Sequence, residues 1–331
     1  MAMDLGTNNI RVHARGRGVV LSEPSVIAVE RRNGIRKVFA VGDEAKRALD
    51  RTPENVEVIR PLRDGVIVDL DAAVMMLGGV IRRIRPVGLV RRPLDLVICI
   101  PCGSTSVERR SLQDAARKAG ASNTWLVEAP LAAAIGAGLP VNQPVGSMIV
   151  QVGGGTTEIA LVALSGLAYT TSVRVGGDMM DEAIVNYVRR SHNLLIGLRS
   201  AEQLKREIGS ALRPADGIGA LARVKGRDLV NGVPKEIEMN QGQIAEAIAE
   251  PVGTILEGVR IALENTAPEL AGDIVEQGIV LTGGGALLQG LEDLLRNETG
   301  LWVRVADDPT QCVTIGLARI LDEEIWRPLL K

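Results

Sequence analysis

Three glycine-rich turns, each placed directly after a short apolar run, constrain the fold of this chain more than any other feature. They lie in "AMDLGTNNIRVHA" (2–14), "MIVQVGGGTTEIALV" (148–162) and "GIVLTGGGALL" (278–288). Glycine lets a backbone turn tightly and approach a bound group closely, so the N–H groups of such a turn can face an anion. One such turn is more often only a tight connection. Three in this order indicate a site for a phosphate-containing ligand.

Short runs rich in valine and isoleucine alternate with segments of helical periodicity, a pattern that predicts an α/β fold. A helix is predicted over 104–120, which begins with serine and threonine caps and ends at Gly120, and another over 178–190, with its apolar residues on one face. Strands are predicted in "GVVLSEPSVIAVE" (18–30), "KVFAVG" (37–42), "LDLVICIP" (94–101), "MIVQVG" (148–153), "EIALVAL" (158–164), "DIVEQGIVLTG" (273–283) and "LWVRVA" (301–306).

Two further helical segments carry specific expectations. Residues 240–266 are helical with Pro251 inside, which predicts a kink or two abutting helices. The third glycine-rich turn is expected to lead into an amphipathic helix whose free N-terminal N–H groups favour anions. That helix would present the apolar residues Leu287, Leu288, Leu291, Leu294 and Leu295. Residues 211–239 depart most from regular patterning.

Composition excludes several classes of function. A net charge of −2 and 2% aromatic residues argue against a nucleic-acid partner. Cys99 and Cys102 form a C-x-x-C, but with one further cysteine (Cys312) and two histidines a closed zinc site lacks ligands. Burial of both cysteines at a strand is favoured, and a redox pair stays open. The opening residues are not typical of a signal peptide and no apolar run approaches the ~20 residues of a membrane span, so we expect a cytoplasmic protein.

The three turns resemble the phosphate-1, phosphate-2 and adenosine motifs of the actin-like ATPase superfamily. Within it, the chain resembles the bacterial actin MreB and Mbl family over nearly its whole length. The resemblance includes "DLGT" (4–7), "GVVLSEPSVIAV" (18–29), "RTPENVEVIRPLRDGVIVD" (51–69), "VERRSLQDAARKAGA" (107–121), "PLAAAIGAGLPV" (130–141), "GGGTTEIA" (153–160), "VGGDMMDEAIVNYVRR" (175–190), "SAEQLKREIGSA" (200–211) and "VLTGGGALL" (280–288).

This resemblance implies an actin-like (ribonuclease-H-like) fold, with two α/β domains around a nucleotide cleft, each with a small subdomain. Domain I would comprise residues 1–140, with a small subdomain at about 30–63, together with the C-terminal residues 312–331. Domain II would take 141–311, with a small subdomain at about 181–251.

The resemblance also implies that the chain binds ATP or ADP with Mg²⁺. Asp4 would hold the magnesium shell through water, and the helix with Glu202 and Lys205 would lie against adenine. Read alone, Glu202 and Lys205 are a solvated helix pair worth a few tenths of a kcal/mol. The nucleotide-binding residues carried over are Asp4, Gly6, Thr7, Asn8, Asn9, Gln151, Gly153, Gly154, Gly155, Thr156, Thr157, Glu202, Lys205, Gly283, Gly284, Gly285 and Ala286.

Two positions depart from the family pattern. Gln151 stands where the family has an aspartate of the magnesium shell, and a neutral amide does not offset the charge of a hard cation. Ala129 stands where the family has the acid that positions the attacking water, and losing such a base costs about 10²–10⁴-fold in rate. The neighbouring Glu128 is the remaining catalytic candidate, but on a helix it would point ~100° away. We therefore expect nucleotide binding with weak or lost hydrolysis.

Residues 80–96 combine an apolar tip with arginines, which suits an anionic membrane surface. The membrane loop would comprise Val87, Leu89, Val90, Arg91 and Arg92. The alternative is a helix–strand connection whose valines and leucine lie in the core. Family members use such a loop or an N-terminal amphipathic helix, and few residues precede Met3, so here the loop would have to suffice.

The resemblance favours a membrane-associated cytoskeletal protein that forms filaments with copies of itself on the inner face of the cell membrane. It would work with cell-wall morphogenesis proteins to organise wall synthesis and cell shape. The alternative is a small-molecule kinase or other phosphotransferase of the same superfamily, which would need an acceptor base and intact metal ligation. A chaperone-type ATPase would need a substrate-binding domain beyond these residues.

Overall fold

The computed structural model describes residues 1–32, 34–48, 52–85 and 93–330. They form two compact units, one from residues 1–139 with the chain from 311 onward, and the other from 140–310. The predicted membrane-loop residues Val87, Leu89, Val90, Arg91 and Arg92 lie outside the described residues. Across the part of the chain that is described, no helix is both long and apolar enough to span a bilayer.

The first unit carries the first glycine-rich turn, which joins two interior strands of a five-stranded sheet. Its elements are β1 (Ala2–Leu5), β2 (Asn9–Ala14), β3 (Gly18–Pro24), β4 (Ile27–Arg32), β5 (Ile35–Val41), α1 (Asp43–Ala48), β6 (Val56–Ile59), β7 (Leu62–Arg63), β8 (Val66–Ile67), α2 (Leu70–Ile84), β9 (Asp95–Ile100), α3 (Ser106–Lys118), β10 (Asn123–Glu128) and α4 (Ala129–Gly136). The main sheet has the order β10-β9-β1-β2-β3, and β5-β4-β6 and β7-β8 form smaller sheets. The run 18–30, predicted as one strand, is two strands broken after Pro24.

The second unit carries the other two glycine-rich turns. Its elements are β11 (Ser147–Val152), β12 (Thr157–Ala163), β13 (Gly166–Val173), α5 (Gly177–His192), β14 (Leu194–Leu195), α6 (Leu198–Ile208), β15 (Leu221–Asp228), β16 (Pro234–Asn240), α7 (Gln241–Ala247), α8 (Ala249–Glu264), α9 (Pro268–Gln277), β17 (Ile279–Thr282), α10 (Leu291–Thr299) and β18 (Val303–Val305). Its main sheet has the order β13-β12-β11-β17-β18, and a smaller sheet has the order β14-β15-β16. The irregular stretch 211–239 thus contains a paired hairpin.

The two main sheets share one plan. In each, the first strand pairs antiparallel with the next strand in sequence and parallel with a strand that arrives much later. Parallel partners require a crossover connection, which places helices between them. The glycine-rich turn joins the first two strands in both cases, so the two main sheets have one topology.

Helix α11 (Cys312–Asp322) returns the chain to the first unit and crosses α4. A Cβ on Gly136 would lie 1.8 Å from the carbonyl oxygen of Cys312, and one on Gly316 would lie 1.7 Å from that of Ala132. The two helices therefore touch backbone to backbone, and Arg319 Nη1 donates to the Ile135 carbonyl at 2.7 Å.

Two predicted elements were wrong. Residues 273–277, predicted as strand, are the end of α9, because Pro268 begins a helix and Gly278 ends it with φ of 71°. After the third turn, residues 284–287 form one 3₁₀ turn, and α10 begins at Leu291 because Gly290 adopts φ of 73°. Leu287, expected on the apolar face of that helix, is 63% exposed.

The alternative of two abutting helices around Pro251 is confirmed. Helix α7 ends at Ala247 and α8 begins at Ala249, with Ile248 between them at φ −96° and ψ 4°. Pro251 lies in the first turn of α8, where a missing N–H costs little.

Candidate functional site

The second glycine-rich turn, residues 153–156, is held by its carbonyl groups. Gly153 N–H closes the hairpin on the Thr156 carbonyl at 2.8 Å, and Thr157 begins β12 with its hydroxyl donating to the Val175 carbonyl at 2.8 Å. Within the described ranges, the N–H groups of Gly154, Gly155 and Thr156 make no hydrogen bond to another residue. Such a row of unpartnered N–H groups is a concave site for an anion.

Helix α5 fixes this turn from behind. Its first N–H groups, those of Gly177 and Asp178, donate to the carbonyls of Gly153 and Gly154 at 3.0 and 2.9 Å. A Cβ on Gly176 would lie 2.6 Å from both carbonyl oxygens, so only glycine allows this approach. Because the carbonyls face the helix, the opposite side of the peptide units, with its N–H groups, faces away from it.

Lys205 does not act as a solvated partner of Glu202. Its ammonium donates to the Gly177 carbonyl at 2.7 Å and lies 2.7 Å from Asp181 Oδ1, with 15% and 9% of the two side chains exposed. The lysine therefore ties α6 to the start of α5. Desolvation by burial raises the pKa of Asp181 to about 6, against the opposing effect of Lys205, and the nearby Glu202 and Asp178 raise it further.

Gln151 lies on β11 at the entrance to the second turn, opposite two polar residues of neighbouring strands. Its Cα partners are Glu158 on β12 and Thr282 on β17, so all three side chains share one face of the sheet. Glu158 is 1% exposed and its Oε1 accepts from the Ser172 hydroxyl at 2.7 Å. Within the described chain, Gln151 Oε1 is buried without a hydrogen-bond donor, so this acceptor is available to a ligand or a bound water.

The third turn packs against the second. A Cβ on Gly283 would lie 2.2 Å from the Val152 carbonyl oxygen, and one on Gly285 would lie 2.2 Å from Val152 Cγ1. Gly283 also has φ of 82°. Gly284 begins the 3₁₀ turn and has open space around it, and Ala286 in that turn is buried. The structure thus brings the second and third turns together, and packing against β11 explains two of the three glycines.

The first turn, in the first unit, depends more on side chains. Gly6 N–H donates to the Asn9 carbonyl at 3.0 Å, and Asn9 begins β2. Thr7 Oγ1 accepts from the Gly65 N–H at 2.9 Å, and Asn8 Oδ1 accepts from Arg60 at 3.3 Å. The resemblance implies that Thr7 and Asn8 bind phosphates. In this structure their side chains contact Gly65 and Arg60, which follow β6 in the chain.

Asp4 is buried on β1 between a cation and a thiol. Arg11 Nη1 lies 3.7 Å from Asp4 Oδ2, and the Cys99 thiol donates to Oδ1 at 3.2 Å. Burial raises the pKa of Asp4, and Arg11 and Cys99 oppose that rise. Burial and the adjacent carboxylate hold the pKa of Cys99 well above its usual value, so this thiol stays protonated. Cys102 is also buried, and both residues are free thiols.

Glu128 lies outside the helix, so the prediction that it is a helix residue was wrong. It ends β10 and is the N-cap of α4 in extended conformation, while the buried Ala129 is the first residue of the helix. Pro130 follows it in the first turn and favours this boundary. Glu128 Oε1 accepts from Arg109 Nη2 at 2.8 Å, so its carboxylate is paired with a guanidinium of α3.

A magnesium ion would find few protein ligands here. Among residues 1–32, 34–48, 52–85 and 93–330, no cluster of three or more His, Cys, Asp or Glu side chains has the geometry to hold a metal ion. Mg²⁺ commonly keeps several waters and binds through one or two carboxylates plus substrate phosphates. The Asp4 carboxylate of the first unit is compatible with that outer-shell mode, and the unpartnered oxygen of Gln151 is an acceptor in the second unit, considered by itself.

Comparison with known proteins places these turns in a family. The family model described as MreB/Mbl protein matches residues 1–326. The chain belongs to the MreB/Mbl family. It is 48% identical to the cell shape-determining protein MreB of Escherichia coli (strain K12) over 324 residues, 97% of this chain and 93% of that protein. It is 42% identical to the cell shape-determining protein Mbl of Bacillus subtilis (strain 168) over 322 residues, 97% of this chain and 95% of that protein.

Solved structures extend this MreB/Mbl assignment to the fold. The crystal structure of MreB 5 of Spiroplasma citri bound to AMPPNP is similar with a TM-score of 0.91 and 32% identity, covering 99% of this chain and 97% of that one. The MamK double helical filament has a TM-score of 0.79 at 22% identity, covering 97% and 98%, and shows the fold alone. The actin-like fold predicted from the resemblance is confirmed.

Two groups at this MreB/Mbl site were missed by the analysis of the sequence. Asp181 and Glu158 stand inside motifs that the resemblance quoted, "VGGDMMDEA" and "GGGTTEIA", yet neither was assigned a role. A charged residue in an otherwise apolar strand face or helix face is the signal that identifies them, since buried charges are rare unless paired.

Proposed function

We propose that this protein is a nucleotide-binding, self-assembling cytoskeletal protein of the MreB/Mbl family that contributes to cell shape and hydrolyses its nucleotide weakly or not at all. The observation that carries the proposal is the turn 153–156. Its Gly153 and Gly154 carbonyls bond α5, and the N–H groups of Gly154, Gly155 and Thr156 have no partner in the described chain. Those donors suit the phosphates of ATP or ADP whatever side chain precedes them.

The relatives support the same function. The Spiroplasma citri protein is described in complexes with AMPPNP and with ADP. The Escherichia coli and Bacillus subtilis proteins are named for determining cell shape, and MamK, which shares the fold, is described as a filament. We extend nucleotide binding, assembly and a shape role to this chain, together with cell-wall morphogenesis proteins as partners.

Weak hydrolysis is inferred from two substitutions and one ion pair. Ala129 has no group that orients or deprotonates water, and Gln151 adds no negative charge beside a metal. Glu128 is engaged with Arg109 at 2.8 Å, and its conformation differs from that of the helical residue after it. When bound with nucleotide, Mg²⁺ would supply charge neutralisation of the phosphates, and Asp4 is the residue that the family pattern assigns to its water shell.

The test is phosphate release with Mg-ATP from the purified wild type, beside the double variant Gln151→Asp, Ala129→Glu. We expect negligible turnover by the wild type and a gain of about 10²–10⁴-fold in the double variant. Calorimetric titration with ADP measures binding separately. Wild-type turnover equal to that of the variant would overturn weak hydrolysis, and absence of ADP binding would overturn the nucleotide site.

Association with the inner face of the cell membrane is proposed on the sequence of residues 86–92. The described residues before this segment include Arg82, which is exposed, and Arg83, which bonds Glu23 at 2.7 and 2.9 Å. Arg83 is therefore a structural contact, and the membrane charge would come from Arg82, Arg91 and Arg92.

The variant Arg91→Glu, Arg92→Glu tests this association by co-sedimentation with vesicles containing anionic lipid. We expect bound protein to fall at least five-fold, because each basic residue near such a surface contributes about 1 kcal/mol. The matched control Arg223→Glu, Arg227→Glu reverses two exposed charges of the second unit and should leave binding unchanged. Equal sedimentation of wild type and loop variant would refute the membrane role.

A further inference from the structure

A cation of the chain itself lies beside the carboxylate that would serve the magnesium shell. Asp4 on β1 and Arg11 on β2 are direct cross-strand partners, so their side chains share one face of the sheet. Arg11 Nη1 lies 3.7 Å from Asp4 Oδ2, and 18% and 13% of the two side chains are exposed. The pair is therefore largely shielded from solvent, where salt screens an ionic attraction much less than at the surface.

The two oxygens of Asp4 have partners of different kinds. The Cys99 thiol donates to Oδ1 at 3.2 Å, and Arg11 faces Oδ2. A thiol is a weak and neutral donor, whereas a guanidinium is always charged. Arg11 therefore supplies the positive charge that offsets this buried carboxylate.

Arg11 has no second anchor in the part of the chain that is described. Asp4 is the one partner of its guanidinium there, although that group carries five N–H donors. Arg83 of the same unit, by contrast, is fixed twice, by the Glu23 carboxylate and by the Val41 carbonyl. Because nothing else holds Arg11, its guanidinium can leave Asp4 at the cost of this one contact, and the ion pair is exchangeable.

A guanidinium and a metal shell need the same feature of Asp4, its negative charge. Mg²⁺ is a hard cation that is held through carboxylates, waters and phosphate oxygens. A positive charge within ~4–6 Å weakens the hold of a carboxylate on a second cation, and for the proton this effect is about one to three pKa units, or roughly ten-fold to 1,000-fold. Gln151 replaces the other acid that the family pattern assigns to this shell, so Asp4 is the remaining carboxylate of that pattern.

We propose that Arg11 competes with Mg²⁺ for the Asp4 carboxylate and thereby limits how much magnesium strengthens nucleotide binding. In the metal-free protein Arg11 neutralises Asp4, and it must move away before the carboxylate can bond a water of the metal shell. Arg11 acts through Asp4 and is a positioning residue. The inference rests on the proposed nucleotide binding and deepens it by naming the residue that regulates its metal dependence.

The test compares ADP affinities measured by calorimetry with Mg²⁺ and with EDTA, and the ratio of the two is the magnesium enhancement. Arg11→Met keeps a long side chain and removes its charge, so the enhancement should rise at least about ten-fold above that of the wild type. Arg11→Gln, a neutral but polar variant, should show the same rise. Arg11→Lys keeps a competing charge, so its enhancement should stay within about three-fold of the wild type.

A double variant shows whether Arg11 acts through Asp4. In the Asp4→Asn background, Arg11→Met should leave the enhancement unchanged within about two-fold, because no carboxylate remains for the arginine to occupy. The matched control is Arg36→Met. Arg36 Nη1 lies 2.8 Å from Asp69 Oδ2 in the same unit, with 31% and 25% of the two side chains exposed, and its removal should leave the enhancement as in the wild type.

Thermal unfolding establishes that each variant is folded, and the ratio cancels any loss of affinity common to both conditions. An unchanged enhancement in folded Arg11→Met and Arg11→Gln, or an equal rise in the Asp4→Asn background, would overturn the competition and leave nucleotide binding standing. Loss of ADP binding in both conditions by the folded neutral variants would also overturn it, because the arginine would then be a ligand of the nucleotide. A wild type that binds no ADP in either condition would instead overturn the proposed nucleotide site.

Discussion

The first and second glycine-rich turns of this protein follow the same strand plan but differ in the contacts that hold them. In the turn after β11, the Gly153 and Gly154 carbonyls are bonded to α5, and the N–H groups of Gly154, Gly155 and Thr156 have no partner in the described residues. The turn after β1 has the same backbone closure, from Gly6 N–H to the Asn9 carbonyl, and adds side-chain contacts, with the Asp4 carboxylate beside Arg11 and the Thr7 hydroxyl on Gly65. Backbone donors survive side-chain substitution, so Gln151 in place of an aspartate leaves the N–H groups of the second turn in place.

The groups that would bind the nucleotide therefore differ from the groups that hydrolysis would need. Gln151 and Ala129 stand where the family pattern has the groups that provide negative charge and base function. The donors around Gly154 are backbone N–H groups, which those two substitutions leave in place. A chain can therefore lose the acids of catalysis and keep its nucleotide as a structural ligand. Four measurements test the comparison, from the largest expected effect to the smallest.

Gly176→Ala should have the largest effect, because its Cβ would lie 2.6 Å from two carbonyl oxygens of the second turn. Displacing the turn from α5 should weaken ADP binding at least 100-fold and lower the free energy of unfolding by about 3 kcal/mol, the upper range for overpacking. Calorimetry and chemical denaturation measure the two. Gly253→Ala, on α8 with open space around the Cβ, is the control and should be neutral or stabilising. Unchanged ADP affinity in Gly176→Ala would break the backbone account of this turn.

Mg²⁺ should increase the ADP affinity of the wild type, and Asp4→Asn should make this increase about ten-fold to 100-fold smaller, roughly 1.4–2.7 kcal/mol. ADP affinity in EDTA should be the same as in the wild type. The reason is that the amide keeps the shape of the first turn but removes its charge. Asp114→Asn, on the surface of α3, is the matched control. If both magnesium-dependent and magnesium-free binding fell together, the first turn would be contributing shape rather than charge.

The pH dependence of stability should report on Asp181 beside the second turn. Its pKa is about 6 in the folded protein against a reference value of 3.8, so the folded state binds the proton more tightly than the unfolded state. The contribution of this group to the free energy of unfolding therefore rises as pH falls through 6, by about 1 kcal/mol between pH 7 and pH 5. Denaturation series on wild type and Asp181→Asn isolate this slope by difference. Parallel pH profiles would show that Asp181 titrates at an ordinary pKa.

Gln151→Asp should have the smallest effect, a loss of about 1 kcal/mol without ligand, because the new carboxylate faces the buried Glu158 on the next strand. Adding Mg-ADP should reverse the loss, since a cation beside the new carboxylate offsets the repulsion. Melting temperatures with and without Mg-ADP measure this. Gln151→Asn, of similar size to aspartate but neutral, separates charge from shortening, and an equal loss in both variants would remove the electrostatic explanation.

Local patterns in the sequence predicted most of the helices and strands. The caps around α3, the break near Pro251 and the valine-rich strands of both main sheets are set by neighbouring residues, and periodicity detects them. The strand predicted over 273–277 was wrong because an apolar, Ile- and Val-containing segment reads alike as strand or helix. The hairpin β15–β16 was missed because the glycines of this stretch suggested a loop, although Ala222 and Val224, both buried, alternate with the exposed Arg223 and Lys225 as in a half-buried strand.

By itself, the sequence determined the order of the three turns, the family, and the substitutions at Gln151 and Ala129, because these depend only on which residue stands where. The tertiary structure decided which partner each side chain has. Lys205 could be read as a partner of Glu202 on one helix, yet it binds Asp181 and the Gly177 carbonyl on another. Glu128 was predicted to lie on a helix, but in the structure it is the N-cap of α4 and its carboxylate is paired with Arg109. Burial and long-range contact set these interactions, and neither is encoded in local spacing.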